Sequence, residues 1–170
     1  MNRCDPPRHA ELIDGNLVVP RRRRKWHVSA VDRLKAELDR QAPAGLRADR
    51  EMTVRLARRQ APEPDIMVVT AEAFERPEPD TYYFVEDVVL AVEVVSPDSE
   101  ERDRDTKPRK YAAAGIPHFW RVERQDGRTV VYVYERDPAT GGYTPTGIYH
   151  ERLKVAVPFP IDVDLAFVGR

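Results

Sequence analysis

The chain has 170 residues, enough for one domain with a substantial core, and its 41% hydrophobic residues exclude a chain disordered over its length. Its single cysteine, Cys4, excludes an internal disulfide and a cysteine-rich zinc site. A net charge of -1 hides an asymmetry, because residues 1 to 60 carry 15 Lys and Arg against 8 Asp and Glu, and the rest carry 13 against 21.

A basic first third and an acidic remainder suit a protein that meets a polyanion on one surface and gathers carboxylates for a metal elsewhere. They also suit two halves that attract each other. No apolar run approaches the length of a membrane span and no apolar leader is visible, so the expectation is a soluble cytoplasmic protein, one domain over 1–170, with no membrane partner.

Residues 1 to 9, with Pro6-Pro7 and little apolar pattern, read as a loosely held arm. Glu11-Leu12-Ile13 and Leu17-Val18-Val19 flank Asp14-Gly15-Asn16, a short hairpin whose glycine supplies the positive φ of the turn. From Trp26 to Arg40 the apolar positions Val28, Val31, Leu34 and Leu38 form the stripe of an amphipathic helix, closed by Pro43 and Gly45. Met52, Val54 and Leu56 alternate as a strand, and Ile66 to Val69 form another after Pro64-Asp65. Glu72 to Asp80 reads as a surface loop, with Tyr82-Tyr83-Phe84 packing at its base. The apolar run Val88 to Val95 is a buried strand, and Lys110 to Gly115 is a helix end with glycine at the stop position. Ile116 to Val122, Thr129 to Tyr134 and Leu153 to Val157 are further strands, with turns at Asp126-Gly127 and Gly141-Gly142. This order predicts an α/β sheet covered on both faces, with the Val88-to-Val95 strand central.

Glu93 is the anomaly of that strand. A carboxylate among such apolar neighbours is costly to ionise unless a cation, a donor or water meets it, so it is a candidate functional group. A metal-dependent hydrolytic site needs a second carboxylate, and Asp65 fits if its strand pairs beside Glu93. It also needs a cation to steady the nucleophile or the developing charge. Lys107 is the best lysine, because Asp103, Lys107 and Tyr111 are four residues apart and share a helix face; Lys110 is its rival.

Pro64-Asp65, then Glu93-Val94-Val95-Ser96-Pro97, then Asp103, Lys107 and Tyr111, then Ala114-Gly115-Ile116-Pro117 and Phe119-Trp120, resemble the Uma-two family of the PD-(D/E)XK restriction-endonuclease-like group. The similarity takes in Glu11 to Gly15 and the strand-rich tail, so it spans nearly the whole chain. It implies a central mixed β-sheet flanked by helices, with an N-terminal hairpin and a strand-rich C-terminal part. It further implies Asp65 and Glu93 as magnesium ligands, with the Val94 carbonyl as a third and manganese able to substitute. The wider group keeps a lysine two places after the glutamate, where this chain has Val95. In the Uma-two pattern that lysine sits on the following helix, which here is Lys107. Pro108 is tolerated only in a helix's first turn, so the helix is expected to start near Asp105, with Asp103 in a cap or loop.

Plainer readings stand beside these. Asp65 fits a strand-opening turn residue, Glu93 an edge glutamate, Lys107 a solvated helix lysine, and Tyr111 a packing residue whose hydroxyl reaches the site. In similar proteins an acid near the N-terminus and a histidine opening the first helix recur near the site. Glu11 and His27 hold those places, though each reads first as an ordinary strand-end or helix-start residue. Arg21, Arg22, Arg23, Arg24 and Lys25 would give salt-sensitive, sequence-independent contacts to phosphates, or form a solvated loop. The function expected is a magnesium-dependent endonuclease acting on nucleic acid, with DNA as the first choice and a homodimer left open. The alternatives are a nucleic-acid-binding protein with a weakened site and a regulatory interaction module of the same fold.

Overall fold

The computed structural model describes residues 9–20 and 23–169. The predicted arm, Cys4 and two members of the basic run, Arg21 and Arg22, fall outside or almost outside these residues. The hairpin is formed by β1 (Glu11–Ile13) and β2 (Asn16–Val18). Both of its turn residues, Asp14 and Gly15, have positive φ, the geometry that matches the twist of paired strands.

Helix α1 (Lys25–Gln41) buries His27, Ala30, Val31, Leu34 and Leu38, whereas Val28 is exposed. The apolar stripe therefore opens on a histidine, one residue earlier than the hydrophobic pattern suggested. There follow β3 (Leu46–Arg50), β4 (Thr53–Arg55), β5 (Ile66–Thr70), the short α2 (Ala71–Glu75), β6 (Tyr82–Phe84) and β7 (Val88–Val94). Glu72 to Asp80 is thus partly helical: Thr70 caps α2 by accepting from the Ala73 N–H, and only the rest is loop. The chain continues through α3 (Lys107–Ala114), β8 (His118–Gln125), β9 (Arg128–Arg136), β10 (Tyr143–Tyr149), β11 (Arg152–Val155) and β12 (Ile161–Asp164).

Six strands make the central mixed sheet in the order β10-β9-β8-β7-β5-β3. β7 lies in its interior, antiparallel to β5 and parallel to β8. Its apolar sequence follows from that position, since both faces are covered. Leu90, Val92 and Val94 pack with Ile66, Val68 and the buried face of α1, and β11 and β12 add Leu153, Ile161 and Val163 to this core. Ala91 packs on the opposite face with Met67, Val69, Phe119 and Tyr111 of α3. α3 ends at Gly115, whose φ of 96° is the left-handed stop that glycine adopts without steric cost. Among the described residues no helix is long and apolar enough to cross a membrane.

Candidate functional site

Strand alternation decides which way the two carboxylates point. Ile66 stands opposite Val92, and both contribute to the α1-side core. Glu93 is one residue on from Val92 and so projects with Ala91 toward α3. Asp65 is one residue before Ile66 and continues the Met67 and Val69 series on that same face. Both acids therefore lie at adjoining ends of neighbouring strands and line one cleft. Because β5 begins only at Ile66, the Val94 N–H has no strand partner there and donates instead to Asp65 Oδ2 at 2.7 Å. Val94 is fully buried at the end of β7.

The Lys107 ammonium is buried between carboxylates. Its Nζ lies 2.7 Å from Glu93 Oε1, 2.7 Å from Glu11 Oε1 and 3.9 Å from Asp103 Oδ1. Tyr111 donates its hydroxyl to Glu93 Oε1 at 2.5 Å. Glu11 Oε1 also accepts the Glu63 N–H at 2.8 Å, so the hairpin is tied to the cleft wall.

The helix carrying Lys107 does not start near Asp105. Its path begins at residue 100 and passes through a π-helical turn, Arg102–Thr106, before α3. The Lys107 N–H donates to Arg102 O, five residues back. In a regular α-helix the Pro108 ring would meet the carbonyl four residues earlier; the wider turn moves that carbonyl aside and lets the helix extend backward past the proline. Asp103 is consequently helical and buried, not a loop residue, and it accepts a hydrogen bond from Ser99 Oγ.

His27 Nε2 stands 3.2 Å from Asp65 Oδ1, and its Nδ1 is buried without a partner among the described residues. Glu11 and His27, second-rank candidates in the sequence, are both brought into the cleft. Arg23 lines it too and is ion-paired with Glu51, whereas Arg24 and Lys25 are exposed outside it. Lys110 is not in the cleft; it pairs with Asp14 at 2.5 Å on the surface. Val95, in the place of the superfamily lysine, is half-buried and lines the adjacent groove. Glu63, Ser99 and Arg102 also line the cleft and were not singled out in the sequence. The Glu63-Pro64-Asp65 pairing of acids about a proline was the available signal for the first of them; nothing local marked the other two.

The charges around this small space do not balance. Glu11, Glu63, Asp65, Glu93, Asp98 and Asp103 line a cleft of about 60 Å³ with only Arg23, Arg102 and Lys107 to oppose them. Burial pushes the Glu93 carboxyl well above the usual carboxylate range; Lys107 opposes the shift, and Asp103, Asp65 and Glu11 add to it. Burial likewise lifts Asp103 to about 7 against the pull of Lys107. For Asp65 burial is outweighed by the His27 contact, Lys107 and the Val94 N–H, so its pKa falls below the usual range. Burial disfavours the Lys107 ammonium, but Glu93, Glu11, Asp103 and Asp65 more than reverse this and hold it charged.

This excess of acidic groups over cations, presenting mostly oxygen atoms, suits a hard divalent cation. Among the described residues no three acidic, imidazole or thiolate groups are arranged to hold a metal by themselves.

Comparison with known proteins agrees with the architecture. A search of curated proteins found no match. A solved structure, titled as a putative nuclease belonging to DUF820 from Anabaena variabilis ATCC 29413, superposes with a TM-score of 0.68 at 16% identity, covering 94% of this chain and 83% of the other. That likeness concerns the fold. The model of the Uma2 family, described as "Putative restriction endonuclease", matches residues 2–167, and the chain belongs to this family.

Proposed function

We propose that the protein is a magnesium-dependent endonuclease that hydrolyses phosphodiester bonds in DNA. The observation that carries this reading is the contact of Lys107 Nζ with Glu93, 2.7 Å, in a cleft that Asp65 shares from the same sheet face. Asp65, Glu93 and the Val94 carbonyl would hold the cation, with manganese able to replace magnesium. Bound there, such a cation neutralises charge on the phosphate and makes water more acidic.

The chain's own groups divide the remaining work. Asp65 is kept ionised by His27 and the Val94 N–H, so one ligand is ready before any cation arrives. Glu93 is costly to ionise when buried, and a cation competes there with a proton. Lys107 stays charged and so serves as a fixed donor, not as a base. Two of its three N–H donors meet Glu93 and Glu11, leaving one for an attacking water or a phosphate oxygen, where charge develops in the transition state. Tyr111 holds the Glu93 carboxylate in place through its hydroxyl.

Incubating the purified protein with supercoiled plasmid tests the reading. Nicking that needs magnesium or manganese and stops with a chelator is expected. Failure to cut any DNA with either metal, or cutting that ignores the chelator, contradicts it.

A further inference from the structure

The Glu93 cleft runs into two further grooves through shared walls. His27 and Ser96 line both the cleft and a groove of about 470 Å³ bordered by Arg24, Lys25, Trp26 and Arg124. Trp26 and Arg124 in turn line a groove of about 770 Å³ that carries Arg128. Trp26 is a fixed wall where these grooves meet, because its indole packs on Gly169, where a Cβ would come within 2.2 Å of Nε1.

Four exposed cations stand along this path. Arg24 and Lys25 are exposed at the start of α1, and Arg124 and Arg128 are exposed on either side of the turn joining β8 and β9. None of the four has a side-chain ion pair among the described residues. Of the neighbouring acids, Glu100 and Glu123 are ion-paired with Arg104. Asp164, which accepts the Ala166 N–H, and Glu151 and Asp126 keep their charge against the four cations. The cleft itself is acidic, so a polyanion reaching it must be held along a route where positive charge is unpaired.

We propose that these grooves hold the sugar–phosphate backbone of one nucleic-acid strand as it leaves the Glu93 cleft, with Arg124 and Arg128 contacting phosphates beyond those met by Arg24 and Lys25. This rests on the nuclease reading above and names the path of its substrate. The β8–β9 turn then acts as a far clamp, felt only by strands long enough to reach it.

Fluorescence anisotropy with labelled oligodeoxythymidines, one of about 6 and one of about 20 nucleotides to bracket typical single-strand site sizes, tests the path in chelator, where no cutting is expected. The R124E/R128E variant should bind the long strand at least about tenfold more weakly, with its salt slope reduced by about 1.4, the value for two lost single-strand phosphate contacts. The short strand should bind as before. R124Q/R128Q should lose less, and R33E/R40E, equal in charge change but exposed on α1, should match wild type. Unchanged affinity and slope for the long strand in R124E/R128E, or equal weakening in the α1 control, would overturn the path while leaving the nuclease reading in place. Wild-type protein that binds neither strand at low salt would overturn both.

Discussion

Lys107 Nζ and Glu93 Oε1 are 2.7 Å apart although a proline follows the lysine directly, because a π-helical turn precedes it. The lysine is 4% exposed and the glutamate 1%, so neither charge has water to replace the other. Removing one member of such a buried pair typically costs on the order of 3–5 kcal/mol. Lys107→Met should lose about that much in urea unfolding at pH 8 in chelator. The loss should shrink at pH 5.5, where Glu93, its pKa raised by burial, is neutralised more readily by a proton. Equal stability of variant and wild type at pH 8 would show that the ion pair does not form.

Asp103 supplies a pH test with a definite sign. Its folded pKa of about 7 exceeds the ordinary 3.8, so between these values the folded chain keeps a proton that the unfolded chain has released. The stability this group contributes is fully present below 3.8 and is lost as pH rises through about 7. Asp103→Asn, which cannot ionise, should therefore gain on wild type in thermal melts between pH 5 and pH 8 in chelator. An advantage of about 1 kcal/mol at pH 8, or roughly 2–4 °C for a chain of this size, is a reasonable floor. An advantage that narrows as pH rises would reverse the sign and contradict the burial of an ionisable Asp103.

His27 lines the cleft and, through its Nε2, 3.2 Å from Asp65 Oδ1, serves the proposed site as a positioning residue. His27→Ala should raise the magnesium concentration needed for half-maximal cleavage by roughly 10–100-fold, the usual cost of losing such a supporting partner. Saturating magnesium should restore much of the rate, and His27→Gln should recover part of the affinity by donating to Asp65. A fall in rate that no magnesium concentration relieves would give His27 a different role.

The core of this arrangement was legible in the sequence wherever one strong local pattern decided the structure. β7 is apolar because it is covered on both faces, and that made its lone acid conspicuous. The two edge strands of the sheet were not legible. β3 reads Leu46-Arg47-Ala48-Asp49-Arg50, and β10 contains Pro145 beside a bulge, both tolerable because an edge strand is paired on one side only.

His27 was hidden by a neighbour. Val28 looked like the first residue of the apolar stripe, but the 27, 31, 34, 38 spacing buries the histidine instead. The π-turn was beyond local reading, since Pro108 forbids a regular helix around it without saying whether the chain ends or widens. The structure widens it, while Asp103 meets Ser99 and Lys107 meets Glu93 and Glu11 across the cleft.

Magnesium-dependent nicking of supercoiled plasmid by D65N and E93Q beside wild type, each shown to be folded by its thermal melt, asks directly whether these two carboxylates hold the cation. Each variant keeps the shape of its side chain but removes the charge that would hold the cation. Wild type should nick the plasmid, and both variants should lose at least about 100-fold in rate, around 2.7 kcal/mol of transition-state stabilisation. Cleavage by either variant at the wild-type rate would mean that its carboxylate does not hold the metal.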